Sequence, residues 1–475
     1  MRNIKYYKLD DVTEELNFPN KTRCVLLLLL VWFSVFFVCY SSSSLRTSSR
    51  DKANYQSPSF SRDQRVSKRN VTKFQDNYFL IEESQFLNCP AFMNGNKEEI
   101  ETYVNYGRMK LHSEKLIDLP MDCKSVKDRL IGDLPAFEPL KNPIAFVRNI
   151  YGMYELQEVF LSMTWHPDHL FCYAIDSKNS EKLRRSMMRL AECFDNVYLL
   201  ETGYDFDRAG HRQDKAHFDC LNVLLEKNWR HAVTLQNFDM IIKTPEQLSD
   251  LSELLNSTSV MGTDYGFPDR YDSSADWTPA GMKLFKDEKK VPEEILHRKL
   301  EIRKSLNQVI LSKVFVKSLF ENLNMGRVIK RFDDQSKFGV DEMMFMTLYQ
   351  NYLGLEGQME SNCTEELTDE LTRLTYWHLE QSDGYYPDCK SKWLRHSICV
   401  FGVEDLKDFS ESFYVSVNKV KEDFDFGAIL CTREMIRIKN TGKIPDATWL
   451  SKKFPQFREM QMKANGTYDK KSFKC

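Results

Sequence analysis

Over a long central stretch the chain alternates short apolar runs with amphipathic segments. Four runs rich in β-branched and aromatic residues predict strands, at 143–151 (PIAFVRNIY), 170–177 (LFCYAIDS), 196–201 (NVYLLE) and 231–237 (HAVTLQN). Apolar residues at helical spacing predict three helices between these strands, at 153–165, 180–194 and 214–228. Strand and helix in regular succession indicate a mostly parallel α/β sheet, whose ligands bind at the carboxyl ends of the strands.

The pattern becomes more mixed beyond residue 250. The polar stretch 263–277 (TDYGFPDRYDSSADW) predicts a long loop, and 311–323 (LSKVFVKSLFENL) predicts a helix. In 339–348 (GVDEMMFMTL), Asp341 is a favourable N-cap and is followed by apolar residues on one helical face, so a buried helix is expected to start near Asp341. No glycine-rich phosphate loop follows the first strand, which argues against an ordinary dinucleotide-binding fold.

The N-terminal part has a different character. An uncharged apolar run from Cys24 to Tyr40 follows Lys21 and Arg23, which predicts a single-pass membrane anchor with residues 1–23 in the cytosol. A cleaved signal peptide is the alternative, although the polar segment ahead of the run is long for one. Residues 41–88 are mostly polar and basic, and we expect them to form a flexible luminal stem.

The cysteines and glycosylation sequons fit the luminal side of a secretory membrane. Ten of the twelve cysteines follow Tyr40, so disulfides are expected there. Cys389 and Cys399 suit a disulfide hairpin, with a zinc site as the competing interpretation. Sequons are present in the same part of the chain at Asn70, Asn256, Asn362 and Asn465.

The overall charge excludes one class of partner. The chain has 66 basic and 69 acidic side chains, a formal net charge of −3, so no global field attracts it to nucleic acid. A secretory α/β protein with exposed carboxylates is compatible with sugar chemistry, but composition alone does not establish it.

Several segments, in order, resemble one enzyme family between about Cys89 and Met435. They read FCYAID, CFDNVYLLE, NWRHAVTLQNFDMIIKT, YYPDC, SICVFGVEDL and VNKVKEDFDFGAILC. This part of the chain is similar to the core-2/I-branching β-1,6-N-acetylglucosaminyltransferases, type II membrane enzymes of the Golgi. The resemblance implies a GT-A-like α/β fold with a mostly parallel sheet, stapled by disulfides. The luminal glycosyltransferase domain would span 89–440, followed by a C-terminal tail at 441–475.

The resemblance also implies a disulfide pairing, which the sequence alone cannot choose. It pairs Cys89 with Cys431, Cys123 with Cys193, Cys172 with Cys220, and Cys389 with Cys399. Cys363 and Cys475 are left without a partner in this scheme. The free cysteine that is usual in the family falls at Gln236 and is missing here.

The same resemblance assigns the catalytic base. The family's base lies in a Pro-Asp-Glu triplet at a helix start, and GVDEMMFMTL looks like that segment with Val340 in place of the proline. The match places the base at Glu342, which would take the proton of an acceptor hydroxyl in an inverting transfer. Asp341 would be the helix cap. Without the resemblance, Glu342 is more simply read as an ordinary acid at a helix start.

Further site residues follow from the matched segments. Lys419 and Arg395 would bind the diphosphate of the donor, although an ungapped count from Cys399 puts His396 in the arginine's place. Asp176 resembles the acid that contacts the nucleoside, and Trp377 resembles an aromatic that stacks on the acceptor. The structural alternatives are surface charges for Lys419 and Arg395, a cap of helix 180–194 for Asp176, and a core position for Trp377.

The family resemblance also gives an expectation about whether the enzyme needs a metal. Two DFD triplets, at 205–207 and 423–425, are weak candidates for a metal site, whereas the family resembles metal-independent enzymes. We therefore expect no metal and no cofactor beyond the UDP-sugar donor. The expected function is β-1,6 transfer of N-acetylglucosamine to an O-glycan type of acceptor. Because 263–277 departs from the family's acceptor-reading segment, the identity of the acceptor cannot be carried over. Two enzymatic alternatives remain, another UDP-sugar such as glucose or xylose and metal dependence through one DFD triplet. The altered segment and the displaced arginine also leave open an inactive luminal protein that binds glycans or partner enzymes.

Overall fold

The computed structural model describes residues 84, 87–112, 119–132, 136–361, 363, 370–377 and 389–475. The predicted cytosolic tail, the predicted anchor and nearly all of the predicted stem lie outside these residues. Within the described ranges, no helix has the length and apolar character needed to span a membrane.

Twelve strands are present in the described residues. They are β1 Ile144–Ile150, β2 Leu170–Asp176, β3 Val197–Tyr204, β4 His231–Leu235, β5 Met240–Ile241, β6 Asp264–Tyr265, β7 Arg303–Lys304, β8 Ile310–Ser312, β9 Arg373–Leu374, β10 Leu394–Arg395, β11 Ile398–Cys399 and β12 Ser416–Val417. The four strands predicted from the apolar runs correspond to β1 to β4.

The helices of the described residues surround these strands. They are α1 Cys89–Met93, α2 Lys97–Tyr106, α3 Cys123–Leu130, α4 Tyr154–Thr164, α5 Glu181–Cys193, α6 Gln213–Leu224, α7 Pro245–Leu255, α8 Pro279–Met282, α9 Glu293–His297, α10 Lys313–Asn322, α11 Met325–Phe332, α12 Met344–Gln350, α13 Leu406–Glu411, α14 Glu422–Arg437, α15 Ala447–Lys453 and α16 Pro455–Ala464. The three helices predicted between the strands, and the one predicted at 311–323, correspond to α4, α5, α6 and α10.

The central sheet has five strands in the order β3-β2-β1-β4-β8. β1 pairs in parallel with β2 and with β4, β2 pairs in parallel with β3, and β8 adds an antiparallel edge. The prediction of a mostly parallel α/β sheet is therefore confirmed. The chain leaves β1 toward β2 on one side and later returns to place β4 on the other, so a topological switch point lies between β1 and β4.

Helices cover both faces of this sheet, because both faces are apolar. Ala145 and Val147 of β1 pack into one core cluster, while Phe146 and Ile150 pack into the other. The strict alternation follows from the two-residue period of a strand. Strands buried on both sides are typical of parallel sheets, and they leave the strand ends as the accessible part of the sheet.

Short strands build the rest of the fold around the carboxyl ends of the central strands. β5, β12 and β9 form a small sheet, and β10 pairs with β11 as a hairpin. β6 pairs antiparallel with β7, with Asp264 opposite Lys304 and Tyr265 opposite Arg303. The prediction of one long loop at 263–277 was wrong in this respect, because its first residues form a strand and Pro268–Arg270 form a turn of 3₁₀ helix.

Among the described residues five disulfides are formed, and four of them are the pairs that the resemblance implied. These four are Cys89–Cys431, Cys123–Cys193, Cys172–Cys220 and Cys389–Cys399. The fifth joins Cys363 to Cys475, the two cysteines that the family pattern leaves over.

The C-terminal residues 441–475, which the sequence assigns only to a tail, contain the helices α15 and α16. Leu450, Phe454 and Phe457 are buried in the core cluster that contains Phe146 and Ile150 of β1. The buried carboxylate of Glu459 accepts hydrogen bonds from the backbone N of Glu360 at 2.7 Å and of Ser361 at 2.8 Å. Together with the Cys363–Cys475 disulfide, these contacts fix the C-terminus to the domain.

Candidate active site

The candidate site lies at the carboxyl edge of the central sheet, at the switch point between β1 and β4. Tyr151 directly follows β1, and Gln236 directly follows β4. The backbone N of Tyr151 donates to the side chain of Asn237 at 2.9 Å, so the two strand ends are linked. Ligands of open α/β sheets bind at such a point.

Asp239 organises the turn that follows β4. Its side chain is fully buried, and one carboxylate oxygen accepts from the backbone N of Gln236 and from the side chain of Gln308, each at 2.6 Å. The other oxygen accepts from the side chain of Asn418 at 2.8 Å. Because Asn418 immediately precedes Lys419, the buried carboxylate joins the end of β4 to the segment that presents this lysine.

The segment with the two acids differs from the predicted helix start. Val340–Glu342 form a turn of 3₁₀ helix, and α12 starts only at Met344, with Met343 at its N-cap and no side-chain cap. The prediction that Asp341 caps this helix was therefore wrong. Gly339 has a positive φ of 70°, and its backbone N donates to the carbonyl of Ala209 at 2.7 Å. This left-handed turn aims both acids toward the strand ends instead of along the helix.

Asp341 is held by neutral partners. One carboxylate oxygen accepts from the side chains of Asn307 at 2.8 Å and Gln236 at 3.1 Å. Burial, and then the charge of the neighbouring Glu342, raise the pKa of Asp341 to about 7. The two amides orient this carboxylate without contributing a positive charge.

Glu342 is held by cations. One of its oxygens pairs with the guanidinium of Arg270, and the Lys304 ammonium lies 3.6 Å from the same oxygen. The backbone carbonyl of Glu342 also accepts from the N of Ser305 at 2.8 Å. Side chains from β7 and from the turn after β6 thus surround the predicted base.

Opposing these acids is a cluster of basic side chains, which we name the basic cluster: Arg208, Arg373, Arg395, His396 and Lys419. Burial, and then the charges of Arg373 and Arg395, lower the pKa of Lys419 to about 8. Burial, and then the charges of Lys419, Arg208 and Arg395, lower the pKa of His396. These mutual effects show that the five side chains share one region, and such a concentration of positive charge fits a diphosphate.

The hairpin β10–β11 presents Arg395 and His396 at its tip. His396 and Ser397 both have positive φ, 53° and 58°, as expected for a two-residue hairpin turn of the primed type. The Cys389–Cys399 disulfide anchors the base of this hairpin. The charge of Arg395 lowers the pKa of Lys419, and the charge of Lys419 lowers the pKa of His396. Arg395 and His396, the two alternatives that the sequence left open, therefore both lie in the basic cluster.

Tyr151 connects the two halves of the site. Burial raises the pKa of its phenol, the charges of Asp239 and Asp341 add to this rise, and the charge of Arg395 opposes it. The acidic segment and the basic cluster therefore face the same side chain at the end of β1.

Asp176 ends β2, one strand away from Tyr151 in the sheet. It is buried, and its carboxylate accepts from the backbone N of Lys178 at 3.0 Å. It does not cap α5, because the hydroxyl of Ser180 does so by accepting from the N of Leu183 at 3.2 Å. Asp176 thus lies on the same edge of the sheet as the rest of the site.

Trp377 lies beside the hairpin that presents Arg395. Its backbone forms a β-bridge with Ile398, and its side chain is 48% exposed. The alternative that Trp377 is a core residue was therefore wrong. The following residues 378–388 lie outside the described part of the chain.

In both DFD triplets, acidic side chains are paired with basic side chains of the protein. Asp205 pairs with Lys178, and Asp207 lies 2.6 Å from the Nδ1 of His211. In the second triplet, Asp425 lies 2.7 Å from an Nη of Arg108. Among the described residues, no group of three or more histidine, cysteine or acidic side chains is arranged to hold a metal ion.

Sequence reasoning missed several residues of this site. Tyr151 and Asp239 follow predicted strands, so the rule that ligands bind at strand ends could have identified them. For Arg208 and Arg373, no pattern in the sequence indicated a position in the site. Arg270 lies in the segment that was predicted to be a loop, and no periodicity linked it to Glu342.

Two of the four predicted glycosylation sites can be located. Asn256 and Asn465 are both exposed, at the C-terminal ends of α7 and α16. Asn70 and Asn362 lie outside the described residues. Glycosylation at all four sites stays a prediction.

Comparison with known proteins gives a family match over the central part of the chain. A family model described as Branch: Core-2/I-Branching enzyme matches residues 144–410, which is more than half of the 475 residues. The matched region contains Asp176, Glu342 and Arg395, whereas Lys419 follows it.

Individual relatives match at low identity over most of their length. The human β-1,3-galactosyl-O-glycosyl-glycoprotein β-1,6-N-acetylglucosaminyltransferase is 22% identical over 388 residues, covering 75% of this chain and 86% of the human protein. The enzyme of the same name from Bos taurus is 23% identical over 375 residues, covering 75% of this chain and 86% of its own. The solved structure of the mannosyltransferase Ktr4p from S. cerevisiae covers 52% of this chain and 82% of its own at 11% identity. Its TM-score of 0.23 is too low to support a conclusion.

Proposed function

Because this chain belongs to the Core-2/I-branching enzyme family and is a glycosyltransferase, we propose that it transfers N-acetylglucosamine from UDP-N-acetylglucosamine in β-1,6 linkage to a galactosyl O-glycan acceptor, with inversion at the anomeric carbon. The donor sugar, the linkage and the acceptor are those in the names of the relatives. The observation that carries the proposal is that the end of β4 is hydrogen-bonded to both halves of the site. Gln236 donates to Asp341 of the acidic segment, and Asp239 accepts from Asn418, which precedes Lys419. The fold would be of the GT-A type.

Glu342 is the proposed base. The acceptor hydroxyl oxygen would attack the anomeric carbon while the bond from that carbon to the diphosphate oxygen breaks. The hydroxyl proton would go to the Glu342 carboxylate, and the bonding electron pair would leave with UDP. Arg270 and Lys304 orient this carboxylate through their contacts with one of its oxygens.

The basic cluster is the proposed site for the diphosphate. Lys419 and Arg395 would neutralise the negative charge that develops on the leaving UDP, and Arg373 lies beside Lys419 to add a permanent positive charge. No metal is proposed for this step. Asp176 would contact the nucleoside from the end of β2, and Trp377 would stack on the acceptor sugar.

The setting we propose is the Golgi lumen. Residues 24–40 would anchor the chain as a type II membrane protein, residues 41–88 would form the stem, and the catalytic domain would face the lumen. The five disulfides agree with an oxidising compartment.

Two other functions are outcomes of the same test. One is transfer of a different UDP-sugar, such as glucose or xylose. The other is glycan binding without catalysis, which is favoured by one specific observation: both cations next to Glu342 are paired with the carboxylate that should act as base.

The test uses the full chain, purified from a secretory host and incubated with a panel of UDP-sugars and O-glycan acceptors, with and without EDTA. We expect transfer from UDP-N-acetylglucosamine that is insensitive to EDTA and is lost in Glu342→Gln. Transfer abolished by EDTA would contradict the metal-free mechanism, and full activity of Glu342→Gln would remove Glu342 as base. Glycan binding without transfer from any donor would support the non-catalytic alternative.

A further inference from the structure

The turn after β6 carries two exposed aromatic side chains close to Glu342. Tyr265 ends β6 and is 53% exposed, and Phe267 is 44% exposed. Single exposed aromatics are common on protein surfaces and need no explanation. Here two of them are separated by one residue and lie near the proposed base, which distinguishes them from scattered exposed aromatics.

The backbone of this turn is held in place. The N of Gly266 donates to the carbonyl of Ile302 at 3.2 Å, and a Cβ at Gly266 would come within 2.5 Å of that oxygen. Only glycine permits this close approach. The next residues, Pro268–Arg270, form a turn of 3₁₀ helix. The two rings therefore project from a fixed backbone instead of a loose loop.

Each ring has a cation beside it that is less exposed than the ring itself. The guanidinium carbon of Arg303 lies 4.9 Å from the centre of the Tyr265 ring, and Arg303 is only 4% exposed. The guanidinium carbon of Arg270 lies 5.0 Å from the centre of the Phe267 ring, and the Lys304 ammonium lies 6.0 Å from it. Both rings are therefore exposed at this turn, together with Pro268 and Asp269, whereas the cations behind the rings are less exposed.

The same cations connect the turn to the predicted base. Arg270 and Lys304 both contact the Glu342 carboxylate, so Phe267 is separated from that carboxylate by a single side chain. An acceptor whose hydroxyl reaches Glu342 would therefore lie next to this turn. Flat aromatic surfaces suit the apolar faces of sugar rings, and the cations can donate hydrogen bonds to the hydroxyls at the ring edge.

We propose that Tyr265 and Phe267 form the platform that recognises the acceptor, by stacking on the apolar face of a neutral hexose while Arg270 and Lys304 contact its hydroxyls. A neutral acceptor is indicated because Glu342 already serves as counter-ion to both cations. The inference rests on the proposed function, since it assigns specificity within the same site. It accounts for the stretch 263–277, in which this chain departs from its family.

The experiment compares Tyr265→Ala, Phe267→Ala and the conservative variants Tyr265→Phe and Phe267→Tyr with wild type, all as the full chain. Phe413→Ala is the matched control, because Phe413 is 41% exposed and packs against Trp449 outside the site. Two readouts are taken: the KM and kcat for transfer to a neutral β-1,3-galactosyl disaccharide, and binding of this disaccharide to the UDP-bound protein by saturation-transfer NMR. The second readout needs no catalysis.

We expect each alanine variant to raise the acceptor KM and dissociation constant about 2- to 10-fold, with kcat and the donor KM unchanged. The conservative variants keep an aromatic ring, so their acceptor KM should lie closer to that of wild type than to that of the alanine variants, and Phe413→Ala should behave as wild type. Transfer by wild type with the same acceptor KM in both alanine variants as in Phe413→Ala would overturn the inference and leave the proposed function intact. Binding that is weakened by the alanine variants in a chain without transfer would overturn the proposed function and support the platform. A wild type that binds no neutral disaccharide would overturn the platform.

Discussion

The carboxylate of Asp341 accepts a hydrogen bond from the side-chain amide of Gln236, 3.1 Å away and 105 positions earlier in the chain. Gln236 directly follows β4, so this bond fixes the acidic segment to the end of a central strand. Glu342, the next residue, has different partners because it pairs with Arg270 and Lys304. Two adjacent acids thus have separate surroundings, one neutral and one cationic, and this separation predicts separate roles.

Replacing each acid by its amide tests this division. Glu342→Gln removes the proposed proton acceptor, so we expect kcat to fall about 10²- to 10⁴-fold with the donor KM unchanged. Asp341→Asn keeps a side chain that can bond with Gln236 and Asn307, and we expect kcat to fall less than about tenfold. Steady-state transfer assays measure both values. A larger loss in Asp341→Asn than in Glu342→Gln would show that the base had been assigned to the wrong acid.

The raised pKa of Asp341 predicts how stability depends on pH. The carboxyl group titrates near 7 in the folded chain and near 4 when unfolded, so the folded state binds the extra proton between these values. Stability from this group is therefore complete below pH about 4 and is lost as the pH rises through about 7.

Asp341→Asn should remove this dependence. Its unfolding free energy should improve relative to wild type by roughly 1–3 kcal/mol between pH 5 and pH 8. Denaturant unfolding of both proteins at the two pH values measures the change. A difference between them that stays constant with pH would exclude a titrating Asp341.

Lys419 predicts a pH dependence of donor binding. Its pKa is lowered to about 8, so a growing fraction of this side chain is uncharged as the pH rises through 8. We expect the donor KM to increase several-fold between pH about 7 and about 9, because a neutral amine cannot balance the diphosphate. Lys419→Arg should bind the donor with little change over this range, since arginine stays protonated. A wild-type KM that is flat with pH would place the diphosphate elsewhere.

Much of the central fold could be predicted from the sequence, because long elements have a clear period. β1 to β4 are apolar runs of 5 to 8 residues, and the helices between them show apolar residues at helical spacing. Glu342 and Lys419 could be located only through the family resemblance, whereas Asp176 also ends a predicted strand, where ligands of such sheets bind. In a chain with 69 acidic and 66 basic residues, single charged side chains give no local signal.

The surroundings of the predicted base could not be found in this way. β6 and β7 have two residues each, too few to show any period, yet their pairing brings Arg270 and Lys304 to Glu342. The capping role of Asp341 was mispredicted for a related reason. The left-handed turn at Gly339 and its bond to Ala209 are tertiary features that override the local preference of Asp for an N-cap.

The Cys363–Cys475 disulfide predicts a loss of stability without a loss of activity. It closes a separation of 112 residues and ties the C-terminus to the domain, and neither cysteine is among the proposed site residues. The double variant Cys363→Ser/Cys475→Ser leaves neither of these two cysteines as a free thiol and should lower the unfolding free energy by about 2–4 kcal/mol. Thermal melting and a transfer assay at low temperature measure the two properties. An equal loss of activity in the folded double variant would link this region to the site.

Gly210 predicts that the position of Asp341 matters for catalysis. Gly210 has a φ of +89°, and a Cβ there would come within 2.0 Å of an Asp341 carboxylate oxygen. Gly210→Ala must therefore shift the Asp341 side chain, and alanine is also strained at this φ, so we expect the acidic segment that carries Glu342 to be displaced. Because displacements of about 1 Å can cost 10²-fold in rate, we expect kcat to fall roughly 10- to 100-fold.

Gly326→Ala is the control for Gly210→Ala. Gly326 lies in α11, and a Cβ there would meet nothing within 4 Å. This variant should keep wild-type activity and gain about 0.4–1 kcal/mol of stability, because alanine restricts the unfolded chain and the helix accepts it without strain. Transfer assays and thermal melting of the two variants distinguish a local effect on Asp341 from a general effect of replacing glycine. Equal activities in both would mean that the acidic segment tolerates displacement, which would contradict the role of the Asp341–Gln236 bond in holding Glu342.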